Sequence, residues 1–118
     1  MDLPPLAHTF FDALGRGDRV RLAGLLSPRG RVGADGWSEE CAGDDFAAWW
    51  QRVHAGFHGL EFHLKEAVPR RNLVFASWRA VGERDGPFQA DGVTVLSFDQ
   101  DGRVDHARFY WEPGVFVP

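Results

Sequence analysis

The chain has 118 residues, of which 44% are hydrophobic and 25% are charged, and its formal net charge at pH 7 is −4; this size and composition predict one globular domain over residues 1–118. The negative charge argues against nucleic-acid binding, which depends on Lys and Arg side chains that neutralise phosphates. The N-terminal sequence has no secretory signal pattern and no apolar run approaches the ~20 residues of a membrane span, so we expect a cytoplasmic protein that binds neither nucleic acid nor membrane.

The first quarter of the chain predicts two helices. Pro4 and Pro5 suit the first turn of a helix, and the residues after them recur with the spacing of one buried helical face: Leu6, Ala7, Phe10, Phe11 and Leu14. Asp18 is placed to cap a second, shorter helix, which Ser27 and Pro28 are expected to stop. We expect the two helices to form a hairpin.

The next segment predicts a short strand and a third helix. The strand is expected over residues 31–37, although three glycines interrupt it. The helix is expected to begin at Gly43 or Asp44 and to end near Gly56 and Gly59. Its apolar residues recur at three- and four-residue steps, as on one buried face: Phe46, Trp49, Trp50, Val53 and Phe57.

From Leu60 onward, apolar and polar residues alternate, which predicts strands. One strand begins at Leu60, another covers residues 73–82, and a loop over residues 82–92 leads to a closing hairpin. The hairpin sequence is GVTVLSFDQDGRVDHARFYW, residues 92–111, with its turn at Asp101 and Gly102. We therefore predict three helices and one early strand, followed by four strands that pair in a mostly antiparallel sheet.

This hairpin resembles the closing hairpin of the nuclear transport factor 2-like superfamily, which includes the ketosteroid isomerases and the SnoaL-like polyketide cyclases. The segments FFDALGRGD, GDDFAAWW and VFASWRAVGERDGPF are similar to other elements of that superfamily. The resemblance covers nearly the whole chain and implies an α+β fold, in which three N-terminal helices pack in a cone-shaped, curved, mostly antiparallel sheet. Strand residues of one parity would then line the cone, and those of the other parity would face solvent or a second subunit.

Matching Tyr110 and Trp111 to the similar end of the isomerase strands assigns a largely apolar set of residues to the inside of the cone. With the helix residues that face them, the predicted ligand pocket comprises Phe10, Leu14, Trp50, Trp78, Ala80, Thr94, Leu96, Ala107, Phe109 and Trp111. Such a lining suits a flat, lipophilic ligand held mainly by burial of apolar surface. The alternative is that these side chains simply fill the cone as core.

The acid and base groups that the resemblance implies are absent at the matching positions. Phe10 stands where the ketosteroid isomerases have a tyrosine, Thr94 where they have the acid that stabilises the enolate, and Ala34 where they have the general base. Asp35 follows Ala34, and a one-residue shift of the strand would turn it inward, so Asp35 is the candidate base. The alternative is a turn residue beside Gly36.

Other candidate groups are few. The acid–base pair of the SnoaL-like cyclases matches Ala107 and Phe109, and neither side chain titrates. His54 is a candidate acid or base at the rim of the cone, with a surface role as the alternative. His54 and His58 have the spacing of helical metal ligands, but glycines interrupt that helix, so no metal and no cofactor is predicted.

The sequence therefore predicts a domain that binds a small hydrophobic molecule. Two alternatives stay open: an isomerase or cyclase of the SnoaL or ketosteroid isomerase kind, acting on a lipophilic ketone or polyketide, and a non-catalytic protein-interaction module. Whether the protein is an enzyme is not decided by the sequence. Phe75, Val93, Val95 and Tyr110 would make the outer sheet face apolar, which predicts a homodimer packed through that face.

Overall fold

A computed structural model describes residues 2–118. The chain forms, in order, α1 (Leu3–Arg16), α2 (Arg19–Leu25), β1 (Leu26–Ala34), β2 (Cys41–Ala42), α3 (Gly43–His54), β3 (His58–Arg70), β4 (Leu73–Glu83), β5 (Pro87–Phe98) and β6 (Val104–Tyr110). Among the described residues, no helix combines the length and the apolar character that crossing a membrane requires.

The helices begin and end for local chemical reasons. At the end of α1, Gly17 adopts the left-handed conformation with a φ of 64°, and its N–H donates to carbonyls of the last turn. Asp18 caps α2, because its carboxylate accepts a hydrogen bond from the N–H of Arg21 at 3.0 Å. Asp44 and Asp45 lie in the first turn of α3, where negative charge is favoured.

All six strands belong to one sheet with the order β2-β1-β6-β5-β4-β3. β1 runs parallel to β6, and every other pair of neighbouring strands is antiparallel. Both α1 and α3 contact the sheet. This arrangement confirms the predicted α+β class, the three helices and the mostly antiparallel sheet.

Several predicted boundaries are wrong. α2 ends at Leu25, just before Ser27 and Pro28, but β1 covers Leu26–Ala34 rather than residues 31–37 and includes both of these residues. The pairing of β1 with β6 shifts register between Leu26 and Arg31, so the sheet does not require an N–H from Pro28. The loop predicted over residues 82–92 shrinks to residues 84–86, because β5 already begins at Pro87.

The core lies between the helices and one face of the sheet. The ten residues predicted to line the cone are all on that side, and each is at most 5% exposed. Their neighbours on the strands have the opposite parity and are more exposed, as Arg79 and Tyr110 are. For the strand residues, burial thus follows the alternation in the sequence and the inward parity that the resemblance implies.

Candidate functional site

The interior of the cone contains a cluster of aromatic rings. Neighbouring ring centroids in this cluster are 4.7–6.5 Å apart, in tilted, stacked and edge-to-face arrangements that aromatic pairs favour. The cluster comprises Phe10, Phe11, Phe46, Trp50, Phe62, Trp78, Phe109, Trp111 and Phe116. Because these rings touch one another, a ligand entering the cone must displace or rotate some of them.

Polar groups inside the cone are paired with one another or with the backbone. Thr94 is fully buried, and its hydroxyl oxygen accepts a hydrogen bond from Nε1 of Trp78 at 2.9 Å. Trp50 Nε1 donates to the carbonyl of Leu14 at 2.8 Å. None of the ten predicted lining residues carries an ionisable side chain. The lining therefore offers apolar area and one hydroxyl rather than an acid–base pair.

Gly92 explains how Trp78 fits across the neighbouring strand. The two residues are paired between β4 and β5, and a Cβ atom at Gly92 would lie 2.3 Å from the indole ring. Only glycine leaves room for the ring at this position. The sequence placed Gly92 where a loop meets the closing hairpin, and the structure shows that it makes room for Trp78, one of the three tryptophans of the predicted lining.

Asp35 lies in a turn beyond β1. The N–H of Trp37 donates to the carbonyl of Ala34 at 3.1 Å, and Gly36 between them has a φ of 90°. The Asp35 carboxylate accepts a hydrogen bond from Nη2 of Arg108 at 3.3 Å. Because Arg108 has the outward parity of β6, this contact lies on the face of the sheet opposite the cone. The geometry agrees with the turn interpretation, and a role of Asp35 as a base stays a prediction.

His54 connects α3 to the end of α1. Its Nε2 lies 2.8 Å from the carbonyl oxygen of Gly15, so this nitrogen carries the proton and donates it. The imidazole also packs on Gly17, where a Cβ atom would lie 2.4 Å from the ring. Together with the bond from Trp50 one turn earlier, this contact satisfies carbonyls at the end of α1. The arrangement gives His54 a clear structural role, and its role as an acid or base stays a prediction.

Ionisable side chains gather on the outer face near β1 and β6. Glu40 is hydrogen-bonded to His106, and Arg31 Nη2 donates to the Glu40 carbonyl at 3.1 Å. The hydrogen bond from His106 lowers the pKa of Glu40 below its ordinary value, and the nearby charges of His106, Arg31 and Arg108 lower it further. This cluster is charged and partly exposed, and it lies on the opposite side of the sheet from the aromatic rings.

Cys41 is unsuited to nucleophilic chemistry. Partial burial raises the pKa of its thiol, and the negative charge of Asp45 raises it further. Burial is the larger of these two causes. No group of three or more side chains able to hold a metal ion occurs in residues 2–118.

Sequence reasoning missed the residues that close the cone. Phe116 is buried against the rings, although it follows β6 in a segment without helical or strand periodicity. Phe57 and Phe88 lie beside it, and the Arg84 guanidinium lies over both rings, 4.7 Å and 5.0 Å from their centroids. The available signal was the run of three apolar residues after Gly114: Val115, Phe116 and Val117.

Residues 7–107 match the family described as the SnoaL-like domain. This chain belongs to that family. A pathogen-related protein of Hordeum vulgare is 29% identical over 126 residues, which is 98% of this chain and 52% of the relative. The chain thus spans about half the length of the curated relative that it matches.

Solved structures agree with the SnoaL-like assignment. AusH from Aspergillus nidulans superposes with a TM-score of 0.84 at 17% identity, over 93% of this chain and 83% of AusH. A protein of ketosteroid isomerase-like fold from Catenulispora acidiphila, solved in complex with trimethylamine, superposes with a TM-score of 0.82 at 16% identity, over 98% of this chain and 91% of its own. At these identities the likeness shows the fold alone, and it confirms the cone-shaped fold predicted from the sequence.

Proposed function

We propose that this SnoaL-like domain binds a small hydrophobic molecule inside the cone, without acid–base chemistry by the lining residues. The observation that carries the proposal is the composition of the lining. Nine of its ten members are apolar or aromatic, and the remaining one is Thr94. A cleft with mostly apolar walls and a single polar group is typical of sites that hold a ligand by area burial and orient it with one hydrogen bond.

Thr94 is suited to that orienting role. Its oxygen already accepts a hydrogen bond from Trp78, and a hydroxyl that accepts one bond still has a hydrogen to donate. A ligand with a carbonyl or ether oxygen on an otherwise apolar body would use this donor. The trimethylamine complex of the Catenulispora acidiphila protein supports the idea that this fold holds small molecules.

The test is to identify what the protein retains from a complex mixture. Purified protein is incubated with a pool of metabolites, separated from free compounds, and analysed by mass spectrometry. The matched variants are Trp111→Ala, which alters the buried lining, and Tyr110→Ala, which alters the adjacent residue, 47% exposed on the outer face. We expect apolar compounds to be retained by wild type and Tyr110→Ala and lost from Trp111→Ala. Retention of nothing, or equal retention by all three, would contradict the proposal.

The second candidate is an isomerase or cyclase acting on a lipophilic ketone or polyketide. Membership of the SnoaL-like family favours it, whereas the positions of Asp35 and His54 do not. The test is proton exchange and turnover on a panel of enolisable ketones and lactones, with Asp35→Asn as the variant. Turnover that disappears in Asp35→Asn would establish the enzyme, and no turnover in the wild type would exclude this reading.

We also propose that two copies pack through the outer face of the sheet, in a cytoplasmic protein. Phe75, Val93 and Tyr110 are 42%, 41% and 47% exposed, and Val93 is the cross-strand partner of Tyr110. A contiguous apolar strip of this kind favours a symmetric interface. Light scattering of the 13.2 kDa chain should give twice that mass.

The dimer is tested by introducing a glutamate on the outer face of the sheet and, as a control, at an exposed position away from that face. Phe75→Glu should give monomers, whereas Val20→Glu, at a residue 82% exposed on α2, should not change the mass. A wild-type monomer at roughly tens of micromolar, where a standard interface still associates, would contradict the dimer. In that case the exposed strip would be available to a different protein, as the interaction-module alternative requires.

A further inference from the structure

The segment that follows β6, residues 112–118, folds back over the cone and inserts Phe116 among the aromatic rings. Phe116 is 3% exposed. Its ring centroid lies 5.0–6.3 Å from the rings of six residues: Trp50, Phe57, Phe62, Trp78, Phe88 and Trp111. Three of these six, Trp50, Trp78 and Trp111, belong to the predicted pocket lining. Phe116 therefore occupies volume next to the residues that a cone ligand would contact.

Besides the Phe116 ring, other side chains of the 112–118 segment contact the rest of the chain: Val115 packs partly buried against the core, and Pro113 lies against Gly36. Residues 112–118 form no helix or strand, and all of them except Val115 and Phe116 are exposed. Among residues 2–118, one hydrogen bond joins the backbone of this segment to the rest of the chain, from Arg84 Nη2 to the carbonyl of Val115 at 3.2 Å. A segment with few buried side chains and one hydrogen bond to the rest of the chain opens more readily than the sheet beneath it.

Arg84 lies beside Phe116 and has no acidic partner. Its guanidinium stacks on Phe57 and Phe88. Nη1 is buried, and no protein atom accepts a hydrogen bond from it. No ion pair within 4.0 Å joins Arg84 to a carboxylate in the described part of the chain. An arginine stays protonated in proteins, so a buried guanidinium nitrogen without an acceptor favours the arrival of an anionic oxygen.

We infer that the cone takes a ligand with a flat aromatic body and one carboxylate, that the aromatic body replaces the ring of Phe116, and that Arg84 binds the carboxylate. The inference rests on the proposed function, because it requires a cone that admits a small molecule, and it adds the class of ligand and the group that recognises it. Displacing the 112–118 segment frees Nη2 from the Val115 carbonyl. Both terminal nitrogens of Arg84 then donate to the two carboxylate oxygens.

This arrangement assigns different effects to the two residues. Phe116 competes with any ligand of the cone. The apparent affinity is the intrinsic affinity multiplied by the fraction of molecules in which the segment is displaced, and this fraction is small while Phe116 fills the site. Shortening its side chain should therefore tighten binding of acidic and neutral ligands alike. Arg84 acts only on the acidic group, so its replacement should weaken binding of acids and leave neutral ligands unaffected.

The experiment is isothermal titration calorimetry with 2-naphthoate and its neutral amide, 2-naphthamide. The variants are Arg84→Gln and Phe116→Leu, with Arg79→Gln and Val117→Ala as exposed controls. We expect wild type to bind the acid about tenfold or more tightly than the amide, the difference that hydrogen bonds to a charged group produce. Arg84→Gln should abolish this difference, Phe116→Leu should tighten both ligands, and the two controls should behave as wild type.

The wild-type protein gives an independent measurement of the displacement. On saturation with 2-naphthoate, the backbone amide signals of residues 115–117 should move to random-coil positions in the NMR spectrum. This readout does not depend on whether Phe116→Leu folds well. Signals that stay in place while the acid binds would overturn the inference.

The remaining outcomes distinguish a failure of this inference from a failure of the proposed function. Equal affinity of wild type for acid and amide, or unchanged acid binding by Arg84→Gln, would overturn the inference and leave the proposed function standing. Unchanged affinities in a folded Phe116→Leu variant would also overturn it, because Phe116 would then not occupy the ligand position. Failure of both compounds to bind any variant would overturn the inference and contradict the proposed function as well.

Discussion

The two faces of the sheet carry different kinds of side chain. In β4, Trp78 is fully buried and hydrogen-bonded to Thr94, whereas the next residue, Arg79, is exposed and paired with Asp91 at 2.9 Å. In β6 the buried Phe109 is followed by Tyr110, which is 47% exposed. The inner face therefore supplies buried apolar area, whereas the outer face carries charged side chains such as Arg79 beside the exposed strip of Phe75, Val93 and Tyr110. In this chain the sheet separates the surface suited to binding from the groups suited to proton transfer.

Replacing one residue on each face should show the largest contrast. Trp78→Ala removes a fully buried side chain and leaves Thr94 without its donor, so the free energy of unfolding should fall by about 3–5 kcal/mol. Arg79→Ala, one residue away on the outer face, removes an exposed ion pair and should cost less than about 1 kcal/mol. Urea denaturation of the two variants measures both values. A loss below about 1 kcal/mol for Trp78→Ala would mean that the inner face is not packed as described.

A methyl group added on the inner face should also be costly. In Gly92→Ala the new Cβ atom would lie 2.3 Å from the Trp78 ring, so we expect a loss of about 1–3 kcal/mol from overpacking. The control is Gly24→Ala in α2, where nothing lies within 4 Å of the new atom and helix propensity predicts a gain of up to about 1 kcal/mol. Thermal unfolding should therefore move in opposite directions in the two variants, and equal shifts would contradict this packing.

The His54 contact is expected to have a smaller, structural effect. His54→Ala removes the bond to the Gly15 carbonyl and should lower the free energy of unfolding by about 1 kcal/mol. Ligand affinity should stay unchanged, because the imidazole is bound to α1 rather than directed into the cone. Calorimetry with 2-naphthamide compares the two properties in the same samples. A large loss of affinity in a variant of normal stability would instead support a role of His54 at the ligand site.

The smallest effect is expected on the outer face, at Glu40. The pKa of this carboxylate is lowered in the folded protein. Its negative charge therefore stabilises the folded state at pH values above its ordinary pKa of 4.5. This contribution to stability is lost as pH falls through the lowered pKa. Because the pair with His106 is substantially exposed, Glu40→Gln should cost well under about 1 kcal/mol at pH 7.

Stability measured against pH tests this assignment. The difference between wild type and Glu40→Gln should narrow as pH falls below about 4.5, where Glu40 of the unfolded chain takes up a proton, and should be lost once pH passes the lowered pKa of the folded protein. A difference that is independent of pH over this range would contradict the assignment to the Glu40 charge.

The alternating residues made much of the sheet predictable. The resemblance of Tyr110 and Trp111 to the end of the isomerase strands assigned the inward parity of β6 and of the other strands, and all ten predicted lining residues are buried. Asp18 and Gly17 likewise marked the junction of α1 and α2 by their local chemistry. Signals of this kind lie in adjacent residues, so they can be read from the sequence alone.

The missed features depend on contacts between distant residues. Phe116 contacts Trp50, which is far away in the sequence, and no local pattern indicates that the 112–118 segment folds back. Pro28 was expected to help end α2, and no local pattern indicated that it lies in a strand, where an irregular pairing of β1 with β6 accommodates it. Gly92 was predicted at the start of the closing hairpin, but the reason for a glycine there was missed, because the ring that requires it belongs to another strand. Long-range packing, rather than local propensity, determines each of these positions.

The most direct test of a ligand site on the inner face is a two-dimensional NMR titration with 2-naphthamide. The indole N–H signals of Trp50, Trp78 and Trp111 report on the inner face, and the backbone amides of Phe75 and Val93 report on the outer face. We predict that the three indole signals shift in a saturable manner while the amides of Phe75 and Val93 stay in place. Shifts confined to Phe75, Val93 and their outer-face neighbours, with unchanged indole signals, would contradict the proposal that the cone is the binding site.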